Sequence, residues 1–172
     1  MSGEKLKRRK KLRLAGYDYR SAGAYFITVC THHRAPLFGE IISDPIVGAT
    51  LCGRPHRPDL MINRWLRELE NKFHGVTVDY FIIMPDHIHF ILFLAGGHAG
   101  PPLQEVINWF KTMTTNAYIK SVKKGELPPF KTALWQRGYY EHVIRNESDL
   151  EEVRRYIEEN PVRRWNKDRL QV

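Results

Sequence analysis

Apolar residues recur with two different periods along this 172-residue chain, and the changes of period mark out its elements. Ala24 to Thr31 (AYFITVCT) is dense in aromatic and β-branched side chains and reads as the first strand. Between Ser43 and Pro58 the composition shifts to Gly, Pro, Ala and Thr, and Gly53-Arg54-Pro55 and Arg57-Pro58 argue against a regular element, so 43–58 reads as a surface insertion. Asp59 is placed to cap a helix in which Leu60, Trp65, Leu66, Leu69 and Phe73 recur at helical spacing. Val76 to Met84 and His87 to Leu94 predict a hairpin turned at Pro85-Asp86, where proline presets φ and aspartate bonds back to the backbone. A Gly/Pro loop from Ala95 to Pro102 follows, and Leu103, Val106, Ile107, Phe110 and Met113 then mark one face of a long helix ending near Gly125. Arg137 to Arg145 predicts a fourth strand, and Asp149 starts a last helix with Leu150, Val153 and Ile157 toward the core, stopped by Pro161.

That order, strand, helix, strand, strand, helix, strand, helix, predicts an α+β fold. The arrangement is a ferredoxin-like split βαβ: an antiparallel sheet with helices on one face, plus an added C-terminal helix. The other face is left for a site and a substrate. The length fits one domain, 1–172, with 1–16 as a basic arm.

Charge narrows the partners. Twenty-seven Lys+Arg against 19 Asp+Glu give a net +8 and an isoelectric point near 9.6, which favours a polyanion, nucleic acid first and an acidic membrane surface second. Within Lys5 to Arg13 seven of nine residues are basic: Lys5, Lys7, Arg8, Arg9, Lys10, Lys11 and Arg13. No apolar run approaches the ~20 residues of a membrane span. Cys30 and Cys52 show no CxxC or zinc spacing, so a reducing cytoplasm, with nucleoid association, is the expected location.

The candidate chemistry lies in Met84-Pro85-Asp86-His87-Ile88-His89. Strand side chains alternate faces, so His87 and His89 point the same way with their roots roughly 6.5 Å apart, close enough for one metal ion. Taken alone, such a pair is more readily two satisfied core histidines. On the last helix Tyr156 and Asn160 are spaced i, i+4 and share a face. Tyr156 also reads as a tyrosine at the rim of a core, and Asn160 as a C-cap before Pro161 or, through its amide oxygen, as a metal ligand. His142 is read as structural, and Asp86 as completing the turn or orienting an imidazole. No Ser/His/Asp set, Cys/His pair or Gly-rich phosphate loop competes.

The segments MPDHIHFIL, GYYEHVIRNESDLEEVRRYIEENP and RLAGYDYRSAGAYFITVCTHHRAPLFGEI together resemble the single-tyrosine HUH transposases, and most of all their REP-associated tyrosine branch. The likeness covers nearly the whole chain apart from the 43–58 insertion. It implies a ferredoxin-like fold, His87 and His89 as metal ligands, Tyr156 as nucleophile, and Asn160 in a third-ligand position often held by glutamine in relatives. It further implies single-stranded DNA hairpins of the repetitive extragenic palindrome type as partner. Insertion-sequence relatives complete the site in a homodimer, whereas the REP-associated branch is expected to act as a monomer.

Such a site supports attack of the Tyr156 oxygen on a DNA phosphorus, with Mg²⁺ or Mn²⁺ polarising a non-bridging oxygen and a 3′-hydroxyl leaving. The resulting 5′-phosphotyrosine conserves bond energy for rejoining. Lys5 to Arg13, Lys111, Arg154, Arg155, Arg163 and Arg164 are the expected DNA contacts, and Trp135, Tyr139, Tyr140 and Trp165 are candidates to stack on bases. Two other classes compete: a non-catalytic hairpin binder, and a nuclease that activates water rather than tyrosine.

Overall fold

The computed structural model describes residues 22–44, 48–52, 58–95 and 101–169, with 40–44, 48–52 and 162–169 described by backbone alone. The basic arm, with Lys5 to Arg13, lies outside the described residues. Strands β1 (Gly23–Cys30), β4 (Val76–Met84), β5 (His87–Leu94) and β6 (Tyr140–Ile144) form one antiparallel sheet in the order β4-β5-β1-β6. Helices α1 (Pro58–Lys72), α2 (Leu103–Lys123) and α3 (Glu147–Arg169) complete the domain. This is the predicted ferredoxin-like α+β arrangement.

The two central strands are buried on both faces, which is why they read as nearly unbroken apolar runs. Tyr25, Ile27 and Val29 of β1 and Ile88, Phe90 and Leu92 of β5 pack with Ile62, Leu66 and Leu69 of α1 and Val106, Ile107 and Phe110 of α2. Their neighbours Ala24, Phe26 and Ile91 turn the other way and pack with Leu150, Val153 and Ile157 of α3. His87 and His89 share that second face, and α3 reaches His89 through Tyr156 and Asn160. Phe110 is fully buried against Phe90 and Trp135, at ring separations of 5.7 and 6.1 Å. Phe110→Ala is expected to cost about 3–5 kcal/mol, read as a lower urea midpoint at unchanged slope.

Several boundaries differ from the periodicity. Residues 43–58 are not wholly irregular, because β2 (Glu40–Asp44) and β3 (Gly48–Cys52) pair as a separate two-stranded sheet. The alternation around Ile41 and Leu51 is too short to stand out from the Gly/Pro-rich surroundings. Helix α1 starts at Pro58 rather than after Asp59, and Leu60 faces solvent. Strand β6 begins at Tyr140, not Arg137, since the carbonyls of Gln136, Arg137 and Gly138 accept from Lys111 Nζ rather than from a neighbouring strand. Helix α3 starts at Glu147, with Asn146 Oδ1 accepting from the Asp149 amide at 2.9 Å, two residues after β6 ends. It also runs through Pro161, whose ring is buried; packing holds the helix past one missing donor.

Between Val78 and Phe81 the β4–β5 register shifts, leaving Asp79 and Tyr80 in a bulge. Those two residues hold α3. Asp79 takes a two-pronged ion pair from Arg154, at 2.8 and 3.0 Å, and the Tyr80 hydroxyl donates to Glu158 at 2.5 Å. Gly75 sets the α1–β4 turn at φ 77, where a side chain would also press on Ala95. No helix among the described residues is long and apolar enough to cross a membrane.

Candidate active site

The strand register fixes the surroundings of the histidine pair. Thr28 lies opposite His89 and Cys30 opposite His87, so the Thr28 hydroxyl sits 2.8 Å from His89 Nδ1. On the turn before β5, the buried Asp86 carboxylate is 2.7 Å from His87 Nδ1, while its carbonyl accepts from Thr31 N and Oγ1. Asp86 therefore both completes the turn and orients an imidazole. With its Nδ1 held by the Asp86 carboxylate, His87 turns Nε2 inward, and the two Nε2 atoms meet at 3.0 Å. Burial, reinforced by His87 and Arg34, pushes His89 down to about 3, so its imidazole is neutral at physiological pH.

Helix α3 supplies the rest. The Asn160 amide lies 3.2 Å from His89 Nε2 through its nitrogen, and a half-turn of that amide puts Oδ1 in the same place. One turn earlier, the Tyr156 ring stands edge-on to His89 at 5.4 Å and to Phe26 at 5.8 Å, and 38% of the residue is exposed. All four residues picked from the sequence thus converge. Of the four, His89 and Tyr156 line a cleft of about 1220 Å³ whose walls also include Arg34, Arg137, Tyr140 and His142.

The described residues contain no group of three or more His, Cys, Asp or Glu side chains able to hold a metal. The side chain of Asn160 is the amide that lies beside the pair. The pair itself has suitable spacing: adjacent ligands of an octahedral ion, bonded at about 2.1 Å, lie about 3.0 Å apart, against about 3.4 Å for tetrahedral corners. Two imidazole nitrogens, with Asn160 Oδ1 after that half-turn, make a donor set of a kind that a divalent ion would take.

Other sequence candidates fall in different places. His142 turns to Asp149, with Nε2 3.0 and 3.1 Å from its two oxygens, and this holds the Asp149 carboxyl below its usual range. It braces the start of α3. The Lys111 ammonium is occupied by three loop carbonyls, and burial lowers its pKa; Arg154 is paired with Asp79. Arg155 is exposed, and Arg163 and Arg164 lie on α3 where only the backbone is described. Trp135 is a core residue donating to Thr114 Oγ1 at 2.9 Å, Tyr139 packs at the core edge, and Tyr140 is 48% exposed in the cleft. Arg34 and Thr28 were not picked out, because their nearness to the histidines depends on strand register.

The four-stranded antiparallel sheet with its helices has counterparts in fold among transposases. The family described as "Transposase IS200 like" matches residues 21–160, and the chain belongs to that family. Within it, the likeness to the REP-associated tyrosine branch read from the sequence holds. An uncharacterised Haemophilus influenzae protein is 31% identical over 176 residues, covering 95% of this chain and 93% of its own. Another from that organism, provisionally named a REP-associated tyrosine transposase, is 32% identical over 149 residues, covering 85% of this chain and 74% of its own. The solved structure of a REP-associated tyrosine transposase bound to a REP hairpin superposes with a TM-score of 0.59 at 21% identity, covering 88% of this chain and 73% of that one. A Deinococcus radiodurans protein, provisionally assigned as a transposase, gives 0.50 at 17% identity over 85% and 95%. At such identities the structural likeness is one of fold.

Proposed function

We propose that this chain nicks and rejoins single-stranded DNA at REP-like hairpins through a covalent 5′-phosphotyrosine on Tyr156. The observation that carries this reading is the edge contact of Tyr156 with His89 beside two converging Nε2 atoms in an open cleft. His87, His89 and Asn160 would hold Mg²⁺ or Mn²⁺, which when bound supplies positive charge to a non-bridging phosphate oxygen.

The chain's own residues do the rest. Asp86 and Thr28 fix the two rings, so the lone pairs stay aimed at one point without reorganisation. Phe26 and His89 hold the tyrosine ring by its neighbours while leaving its face toward the cleft accessible to a phosphate. Attack forms the Oη–P bond and breaks P–O3′; the tyrosine proton leaves, and the freed 3′ oxygen takes one up. Exchange of one phosphodiester for another lets a different 3′-hydroxyl reverse the step without ATP.

The test is incubation of the protein with a labelled hairpin oligonucleotide from the palindromes beside its gene, with and without Mg²⁺ or Mn²⁺, on a denaturing protein gel. A metal-dependent covalent band supports the reading. Hairpin binding with no band, on DNA that a relative cuts, would make the chain a binder instead. Tyr140 gives a separate expectation. Its exposed ring offers a stacking platform worth about 1–3 kcal/mol. Tyr140→Ala should therefore weaken capture of the single-stranded flank about tenfold or more, whereas Tyr140→Trp preserves it. Quenching of 2-aminopurine placed beside the cut site reports the difference.

A further inference from the structure

The chain leaves β1 through a turn that ordinary side chains resist. His33 and Arg34 both adopt φ 55, a left-handed conformation that costs non-glycine residues on the order of 1–3 kcal/mol each. Surrounding contacts impose it. The Thr31 hydroxyl donates toward Ala35 O at 2.8 Å and Asp86 O at 3.0 Å, His32 N donates to Leu134 O, and Phe38 N donates to Pro85 O. The turn is therefore stapled to the turn before β5. It sets the Arg34 guanidinium 3.3 Å from Asp86 Oδ2 and 3.5 Å from His87 Nδ1, on the wall of the cleft that holds Tyr156.

An arginine serving only as a strut for Asp86 would be expected to use its fork and be covered. Here the side chain is 53% exposed, and among the described residues only Nη1 is engaged. Nε and Nη2 remain as donors with the planar geometry that matches two phosphate oxygens. Resting on the tyrosine reading above, we infer that Arg34 is a catalytic residue that grips the scissile phosphate in the cleft it shares with Tyr156 and His89. As Tyr156 Oη–P forms and P–O3′ breaks, its guanidinium stabilises the negative charge on the non-bridging oxygens and transfers no proton.

The test pairs an enzyme change with a substrate change. Adduct formation by wild type, Arg34→Ala and Arg34→Lys is timed at saturating hairpin DNA, on a phosphodiester and on each diastereomer of a scissile methylphosphonate, which lacks the charge. Arg34→Ala should slow the phosphodiester reaction about 100-fold or more, with hairpin binding within about twofold of wild type because most phosphate contacts remain. On at least one methylphosphonate diastereomer the penalty should fall below about tenfold, and Arg34→Lys should be intermediate. An equal penalty on charged and uncharged linkages overturns the inference and leaves Arg34 a support for Asp86. So does an undiminished rate in Arg34→Ala. A wild type that makes no adduct on the phosphodiester removes the tyrosine reading itself, which is a different failure. Asp86→Asn, which keeps the guanidinium, should carry the same penalty on both linkages.

Discussion

Tyr156→Phe is expected to abolish the covalent protein–DNA band while leaving hairpin affinity within about twofold of wild type, since phosphate contacts elsewhere dominate binding. The substitution removes one oxygen and keeps the ring. The edge contacts with Phe26 and His89 survive, and among the described residues no hydrogen bond of the Tyr156 hydroxyl is lost. Loss of the band therefore reports chemistry rather than unfolding. A water-activating nuclease on the same histidines would behave oppositely: release of a free 5′-phosphate at undiminished rate by the phenylalanine variant would sink the tyrosine mechanism.

The histidine pair should be nearly as sensitive. His89→Ala is predicted to reduce metal-dependent adduct formation about 1000-fold or more, the scale of losing a preorganised electrostatic group, and to weaken Mn²⁺ binding measured by calorimetry or spin resonance. Thr28→Val, which leaves the ring but removes the hydroxyl 2.8 Å from Nδ1, should cost about 10–100-fold in ion affinity or rate. A His89→Ala protein that keeps wild-type Mn²⁺ affinity would show that the pair holds no ion. The comparison is clean because His89 is neutral across the working range, so pH contributes little to the difference.

The sequence shows the positions of the candidate site residues better than their support. The β4–β5 hairpin matches its predicted bounds because alternation, a Pro-Asp turn and apolar density agree there. Strand alternation also puts His87 and His89 on one face, and helical spacing puts Tyr156 and Asn160 together. What brings the two pairs into contact is the packing of α3 on Phe26 and Ile91, which is tertiary. For the same reason Arg34 could not be singled out among many basic residues. Lys111 and Arg154 look like DNA contacts in a sequence and are each engaged by protein groups in the fold. Pro161 misled in the other direction, since a strong local breaker yielded to a helix already anchored by Leu150, Val153 and Ile157.

The bulge at Asp79 and Tyr80, together with the two-residue link from β6 to α3, bears on stoichiometry. Both features bind the tyrosine helix to the sheet of its own chain in this structure. On the tyrosine reading, each polypeptide then owns one nucleophile and one place to keep a strand. A monomer working this way would carry a single DNA end at a time. An element with two ends would have to be released by successive turnovers or by two molecules acting on separate hairpins, and the yield of joined product would rise with protein concentration only in the second case.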